Sequence, residues 1–233
     1  SMVSGLAMLF GTAALVLVLS VFNGLEDLVK SLYAVFYPDV AVQPASGKTF
    51  EITQELRQQL AAIDYIEAYS FTLTENALLE YADRQHISTV KGVDASYFKV
   101  VQKFDTFMVE GAKILEQDSI SYCLMGVGVA QKLGFNVAQA FRPLEIYMPK
   151  KTSSSYASME NAFNKSYITA AGSFAVSDEF DSKYVFVPLT FFQALTGNER
   201  RASQLEIRLR NPLRTEEAIQ ALKAALGNQF LVK

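Results

Sequence analysis

The sequence has one cysteine, one histidine and no tryptophan in 233 residues. A single thiol cannot close an internal disulfide, so no covalent staple holds the fold. Cys123 and His86 together also fall short of the four Cys/His ligands of common structural zinc sites. Twenty-one Lys and Arg residues stand against 24 Asp and Glu, with no basic cluster, which argues against nucleic acid as a partner. The pattern G-x-x-x-x-G-K-[ST] is missing, so this chain holds no nucleotide in a P-loop. Gly126-Val127-Gly128 lacks the third glycine of a dinucleotide fingerprint and falls inside an expected helix, where small residues serve close packing. Asp178, Glu179 and Asp181 crowd one turn; a cation site or acid pair is conceivable, but a solvated hairpin turn is the ordinary reading. His86 lies near a turn with no nucleophile motif beside it and reads as a surface or strand-end residue. No nucleophile, base and orienting residue assemble on paper, so neither catalysis nor a cofactor is expected.

Charge is missing from the start of the chain as well. Nothing before Glu26 is ionisable in its side chain, and Leu6 to Phe22 is broken only by Gly11, Thr12 and Ser20. At about 1.5 Å of rise per residue, such a run covers the ~30 Å hydrocarbon core of a bilayer. A secretory signal would need a basic start and a small-residue cleavage site, and neither is there. A buried soluble helix seldom stays uncharged on every face for this length. After Glu26, Asp27 and Lys30 the apolar stripe continues through Leu25, Leu28, Val29, Leu32, Val35 and Phe36 to Pro38. Residues 1–37 therefore read as a transmembrane helix prolonged into a stalk. The absence of a basic flank before Met2 suggests a spanning helix cut within or just before its start.

Beyond Pro38 the chain is rich in aromatic and β-branched residues and long enough for one large or two small lobes. Asp39 to Gln43 alternates as a strand, ended by Pro44 and Gly47. Glu51 to Ile63 has Ile52, Leu56, Leu60 and Ile63 on one helical face, with acids early, where the helix dipole favours them. Ile66 to Leu73, Ala77 to Ala82 and Ile87 to Val93 read as strands, the last two joined by the turn Asp83-Arg84. Near the other end, Leu205 to Leu209 is a strand, Thr215 to Leu226 a helix closed by Gly227, and Phe230 to Val232 a strand. The early and late pieces, 38–110 and 198–233, together predict an α+β lobe of split βαβ, ferredoxin-like, porter type.

Residues 111–197 then form an inserted smaller α/β lobe. Ser121 to Leu133 is expected to be a helix ended by Gly134, Leu144 to Met148 a strand, and Leu189 to Leu195 a short helix ended at Gly197. Tyr167 to Val176 and Tyr184 to Val187 read as a strand pair. Between Lys150 and Lys165 the composition turns to Ser, Thr, Lys and Asn, with Tyr156, Met159 and Phe163 as isolated large side chains. Exposed aromatics on loops often anchor a partner, and these three are the candidate partner-binding residues.

The succession SVFNGLEDLV after the apolar run, VKGVD at 90–94, CLMGVGVAQKLGF at 123–135, AAGSFAVSDEFDSKYVFVPL at 170–189 and FFQALTG at 191–197 covers nearly the whole chain. It resembles the periplasmic region of MacB/FtsX-type ABC transporter permeases, and most the LolC/LolE lipoprotein-releasing branch. The resemblance implies four spanning helices, with this domain between the first two. It implies an inner-membrane location, a domain beyond residue 37 in the periplasm, a separate cytoplasmic ABC ATPase subunit and a second permease copy or paralogue. In LolC-like members a loop of the inserted lobe hooks a periplasmic lipoprotein carrier; the corresponding position is 150–165, which here carries serines and has no internal proline. An FtsX-like regulator of a cell-wall hydrolase, or the ectodomain of a membrane sensor, are the alternatives.

The expected mechanism is mechanical. No proline occurs between Thr12 and Tyr37, and an unbroken helix resists bending. Leu25, Leu28, Val29, Leu32 and Phe36 are the coupling-stalk residues. Proline at Leu28 or Leu32 is expected to uncouple ATP hydrolysis from transport in reconstituted vesicles while leaving the domain folded. Transport that survives either substitution refutes the lever.

Overall fold

The computed structural model describes residues 11–25, 37–136, 142–150 and 162–233, and the chain divides into two compact units, Ser1–Tyr37 and Pro38–Lys233. In the first unit, residues 11–25 form a helix, α1, whose large apolar side chains from Leu15 to Leu25 are exposed. Among the described residues, no helix is long and apolar enough to cross a membrane. Leu25 closes the described part of α1; Leu28, Val29, Leu32 and Phe36, on which the continuous stalk depends, lie outside the described residues.

The second unit opens with β1 (Val40–Pro44), β2 (Phe50–Glu51) and α2 (Gln54–Ala61). The helix is shorter than its periodicity suggests because Thr53 takes the cap position, its hydroxyl accepting from the Leu56 amide at 3.1 Å. Glu51 belongs instead to β2. The strands expected at 66–73 and 77–82 are one 16-residue strand, β3 (Ile66–Tyr81), which turns at Ala82 and Asp83 into β4 (Arg84–Val93). Residues expected only to join two lobes carry α3 (Tyr97–Val100), a 3-10 turn (Phe104–Phe107) and β5 (Met108–Gly111).

After β6 (Glu116–Gln117), the helix expected over 121–133 is half strand: Ile120–Gly126 is β7, and only Val127–Leu133 is helical, α4. The physical reason is burial on both faces. Cys123, Leu124, Met125 and Gly126 are all enclosed, and a doubly covered strand shows an unbroken apolar run that periodicity cannot separate from a buried helix. Then come β8 (Leu144–Pro149), β9 (Phe163–Phe174), α5 (Asp178–Asp181), β10 (Tyr184–Pro188) and α6 (Leu189–Thr196). Both α4 and α6 end on glycines in the left-handed region, Gly134 and Gly197, each with φ of 63°. The chain closes with β11 (Arg201–Ala202), β12 (Gln204–Leu209), α7 (Thr215–Leu226) and β13 (Phe230–Val232).

One end of the main sheet has the antiparallel order β13-β1-β12-β3, with α2 leading from β1 and β2 to β3, and α7 from β12 to β13. Val40, Val42, Phe71, Leu205 and Ile207 join Leu56, Leu60, Leu222 and Leu226 of the two helices in one core. The other end closes on itself. β3 pairs with β4, β4 with β10, β10 with β7, β7 with β9, β9 with β8, and β8 returns to β3 at Leu78–Glu80. These six strands form a ring. Residues 111–197 supply four of its strands, and β3 and β4 complete it. The strand pair expected from 167–176 and 184–187 is therefore not a hairpin: β7 lies between β9 and β10, parallel to the first and antiparallel to the second.

Alternation divides the ring's packing. Cys123, Met125, Val185, Val187, Ile146 and Leu79 belong to the continuous core. Leu124, Phe174 and Phe186 occupy the alternate positions on β7, β9 and β10. There Phe104 packs edge-on to Phe174 and Phe186 at 5.5 and 5.6 Å, so the segment after α3 covers the second face. Each fully buried side chain of this size contributes about 1.5–3 kcal/mol.

Polar groups tie the two ends of the sheet together. Lys91 on β4 reaches across β3 to Glu206 on β12, Nζ to Oε1 2.6 Å, with Glu206 almost fully enclosed. The Lys91 ammonium also donates to the Tyr97 hydroxyl at 3.3 Å, and Thr72 donates to Glu206 at 3.2 Å. Burial by itself would lower the lysine pKa, but the Tyr97 and Glu206 groups outweigh it and hold the ammonium above its ordinary value. Removing one partner strands the other charge. Lys91→Met is expected to cost about 3–5 kcal/mol in urea unfolding, while Lys91→Met with Glu206→Leu recovers most of that loss. Equal destabilisation by the single and double variants would show that the pair does not act as a unit.

Candidate functional site

Two strands of opposite direction frame the loop singled out by composition. β8 ends at Pro149 and β9 begins at Phe163, which are paired directly, so Lys150 to Ala162 connects a long hairpin. Tyr156 and Met159 lie outside the described residues. Phe163 is described: it opens β9 and is 39% exposed. Of the three candidate anchors it is the one the structure places, at the base of the loop on its C-terminal side.

Below Phe163 the hairpin presents a polar square. Tyr147 stands opposite Lys165 and Glu145 opposite Tyr167. The Lys165 ammonium contacts the Glu145 carboxylate at 2.5 Å and lies 5.0 and 4.9 Å from the centres of the Tyr147 and Tyr167 rings. The Tyr147 hydroxyl donates to Glu145 at 2.7 Å. Hydrogen bonds from Lys165 and then Tyr147 hold the Glu145 carboxyl below its usual range, and the bond to Glu145 holds the lysine above its own. The other face of the hairpin buries Leu144, Ile146, Met148 and Ile168. Asn164 adds a tie, its amide donating to the Leu195 carbonyl of α6 at 2.9 Å. The arrangement gives the loop a firm footing; chemically it offers cation, ring and hydroxyl contacts, with no nucleophile set beside a base. Lys165 was legible only as the boundary of a polar segment, because Glu145 and Tyr147 come to it from another strand.

The other residues weighed from sequence fall into structural places. Gly126-Val127-Gly128 does follow a strand, contrary to expectation, since β7 runs directly into α4. The glycines nevertheless serve packing. A Cβ on Gly126 would stand 2.2 Å from the Asp181 carbonyl oxygen, and one on Gly128 2.9 Å from the Ser182 Cα. The acidic turn is also not the solvated hairpin expected. Ser177 caps α5, and Asp181 is buried, its carboxylate accepting from the Val176 amide at 2.7 Å. Burial raises the Asp181 pKa, against the opposing effect of the Val176 and Ser177 amides. His86 lies 3.3 Å from the Ser182 carbonyl, beside Lys132. Cys123 is enclosed inside the ring, where burial pushes its thiol up to about 12 and leaves it unreactive near neutrality. Among the described residues no group of His, Cys, Asp or Glu is placed to hold a metal ion.

Residues 1–225 match the family described as MacB-like periplasmic core domain. No protein of curated function matches the chain. Among solved structures, the extracellular domain of the noncanonic ABC-type transporter YknZ from Gram-positive bacteria is similar with a TM-score of 0.58 at 10% identity, over 83% of this chain and 98% of that one. The periplasmic region of MacB from Actinobacillus actinomycetemcomitans gives 0.56 at 12% identity, over 83% and 87%. At such identities the likeness is one of fold.

The contact at Gly126 yields a direct test of the packing reading. Gly126→Ala drives a methyl group into backbone that has no side-chain freedom to move, and about 1–3 kcal/mol or more of stability should be lost. Thermal unfolding measures it, and an unchanged melting temperature would show that α5 does not press on this glycine.

Proposed function

Because the chain belongs to the family of MacB-like periplasmic core domains, we propose that it is the non-catalytic periplasmic part of an inner-membrane permease that passes on movement driven by a separate ABC ATPase subunit. The match over residues 1–225 carries this reading. The order β13-β1-β12-β3 with α2 and α7 supports treating the terminal halves as a split βαβ lobe of porter type. That lobe shares β3 with the six-stranded ring, and Lys91–Glu206 crosses the shared strand, so displacement at one end is passed to the other without a flexible linker. A second permease copy or paralogue completes the transporter in this proposal.

The finer assignment is lipoprotein release, in the manner of the LolC/LolE branch. What supports it is the hairpin. Residues 150–162 link two strands anchored in the ring, and Phe163 stands exposed where the second strand begins, above the Lys165 square. A soluble carrier would meet the loop through Tyr156, Met159 and Phe163, and hand-over would follow the ATPase cycle. Photocrosslinking amino acids placed at these three positions in the full permease, with its ATPase present, are expected to capture a periplasmic lipoprotein carrier. Capture of lipid only, or of nothing, removes carrier binding; recovery of a cell-wall amidase or its activator replaces it with the regulatory reading.

A further inference from the structure

The end of the terminal sheet at which the chain arrives carries an apolar apex. Asp39, next to Pro38, accepts from the Leu209 amide at 2.8 Å and pairs with the Arg208 guanidinium at 3.6 Å, so the second unit is entered beside the last residues of β12. The turn from α2 to β3 lies at the same end, where the Arg210 amide donates to the Tyr65 carbonyl at 3.0 Å. Four residues beyond Leu209, in the 3-10 turn Pro212–Arg214, Leu213 is 94% exposed, more than any other large apolar side chain among the described residues.

A lone exposed leucine is ordinary. This one is held outward by a closely tied turn. The Asn211 side-chain oxygen accepts from the Leu213 amide at 3.0 Å, the Asn211 carbonyl accepts from the Arg214 amide at 3.1 Å, and the Thr215 hydroxyl donates to the Pro212 carbonyl at 2.6 Å. Pro212 also fixes its own φ. The Arg214 guanidinium lies 5.0 Å from the centre of the Tyr65 ring and donates from Nε to Glu217 at 3.0 Å, while the Tyr65 hydroxyl donates to the same carboxylate at 3.2 Å. The turn is thereby fixed both to α7 and to the connection before β3, and none of these ties uses the leucine side chain. Its presentation is pre-organised, so a contact made there costs little ordering.

Charge gives this end no preference for an anionic surface, since exposed Arg210 and Arg214 stand with exposed Asp64, Glu216 and Glu217. Leucine at an apex with tyrosine and arginine at its base instead suits a lipid–water boundary, where amphipathic side chains keep their polar tips in the headgroups. Twelve residues, 26–37, join the apolar run to Pro38, a span of ~40 Å at most even if fully extended. From these observations we propose that Leu213 is a membrane foot, its side chain entering the edge of the acyl region of a zwitterionic bilayer with Tyr65 and Arg214 at headgroup level. The inference rests on the reading that the apolar run lies in a membrane. One leucine would not hold a free protein on lipid, but a domain tethered to the bilayer meets it at high effective concentration, so a weak contact is occupied. Because the turn opens α7, the foot bears on the tilt of the terminal lobe at the membrane.

The full chain in phosphatidylcholine nanodiscs, some of whose lipid carries a diazirine near the carbonyl end of one acyl chain, tests the foot by irradiation and peptide mass spectrometry. Label is expected on residues 211–214 as well as on residues 11–25. Leu213→Asp, which keeps the backbone amide that bonds to Asn211, should lose most of the label on 211–214 and none of that on 11–25, whereas Leu213→Met should keep both; circular dichroism verifies that each variant is folded. Label on 11–25 alone, or label on 211–214 that Leu213→Asp leaves unchanged, overturns the foot while the membrane reading stands. Label on neither segment removes the membrane reading itself, and the foot with it. Labelling of 211–214 that appears only when phosphatidylglycerol is added overturns the apolar contact in favour of an electrostatic one. A photocrosslinking amino acid in place of Leu213 that captures a second chain and no lipid overturns the proposal and assigns the turn to a protein interface.

Discussion

The structure depends on β3 belonging to two arrangements at once. Its first half, Ile66 to Thr72, pairs with β12, and its second half pairs with β8 at Leu78 to Glu80 on the same edge, while β4 runs along its other edge from Thr72 to Tyr81. A 16-residue strand is long by ordinary standards, where about 5–6 is common. The length is what lets one backbone serve an open four-stranded sheet and a closed ring. Closure leaves the ring with no free edge along the β8–β3 seam, and strand edges are where unwanted pairing begins.

A shared strand makes the join stiff, and the side chains on it decide how stiff. On the face toward α2 and α7, Phe71, Leu205 and Ile207 are packed apolar surface. On the opposite face the same strands carry Ser70, Thr72 and Glu206, under α3 with Lys91 and Tyr97. Apolar packing tolerates sliding by small repacking, whereas a buried ion pair with hydrogen-bonded neighbours has one good arrangement. The polar face therefore fixes the register between the two ends, and the apolar face supplies most of the stabilisation. For a domain of a permease, such a division suits a body that moves as a piece.

Much of the terminal sheet could be read directly. The helix at Thr215–Leu226 has the residues expected of it, and β1 and β13 alternate with a single buried face, as Val40 and Val42 show. The glycine ends at Gly134 and Gly197 were also visible. Reading failed at β7, where Cys123, Leu124 and Met125 are all buried, so the period of two that marks a strand vanished. It failed again at 167–187, since two strands close in sequence suggest a hairpin, and only the whole fold shows β7 threaded between them. The candidate site divides in the same way. Phe163 and its neighbouring loop stood out by composition, but the Glu145–Lys165 contact joins residues of two different strands.

Local chemistry alone determined that the chain opens with an uncharged apolar run, ends in strand, helix and strand, has one cysteine, one histidine and no P-loop pattern, and carries an odd polar loop between two strands. These are properties of neighbouring residues, and neighbours are what a sequence lists in order. Tertiary structure decided that β8 returns to β3 and that Lys91 finds Glu206. Each of those brings together segments separated by tens to more than a hundred residues, and their meeting arises from the joint packing of the whole sheet, which no local pattern encodes.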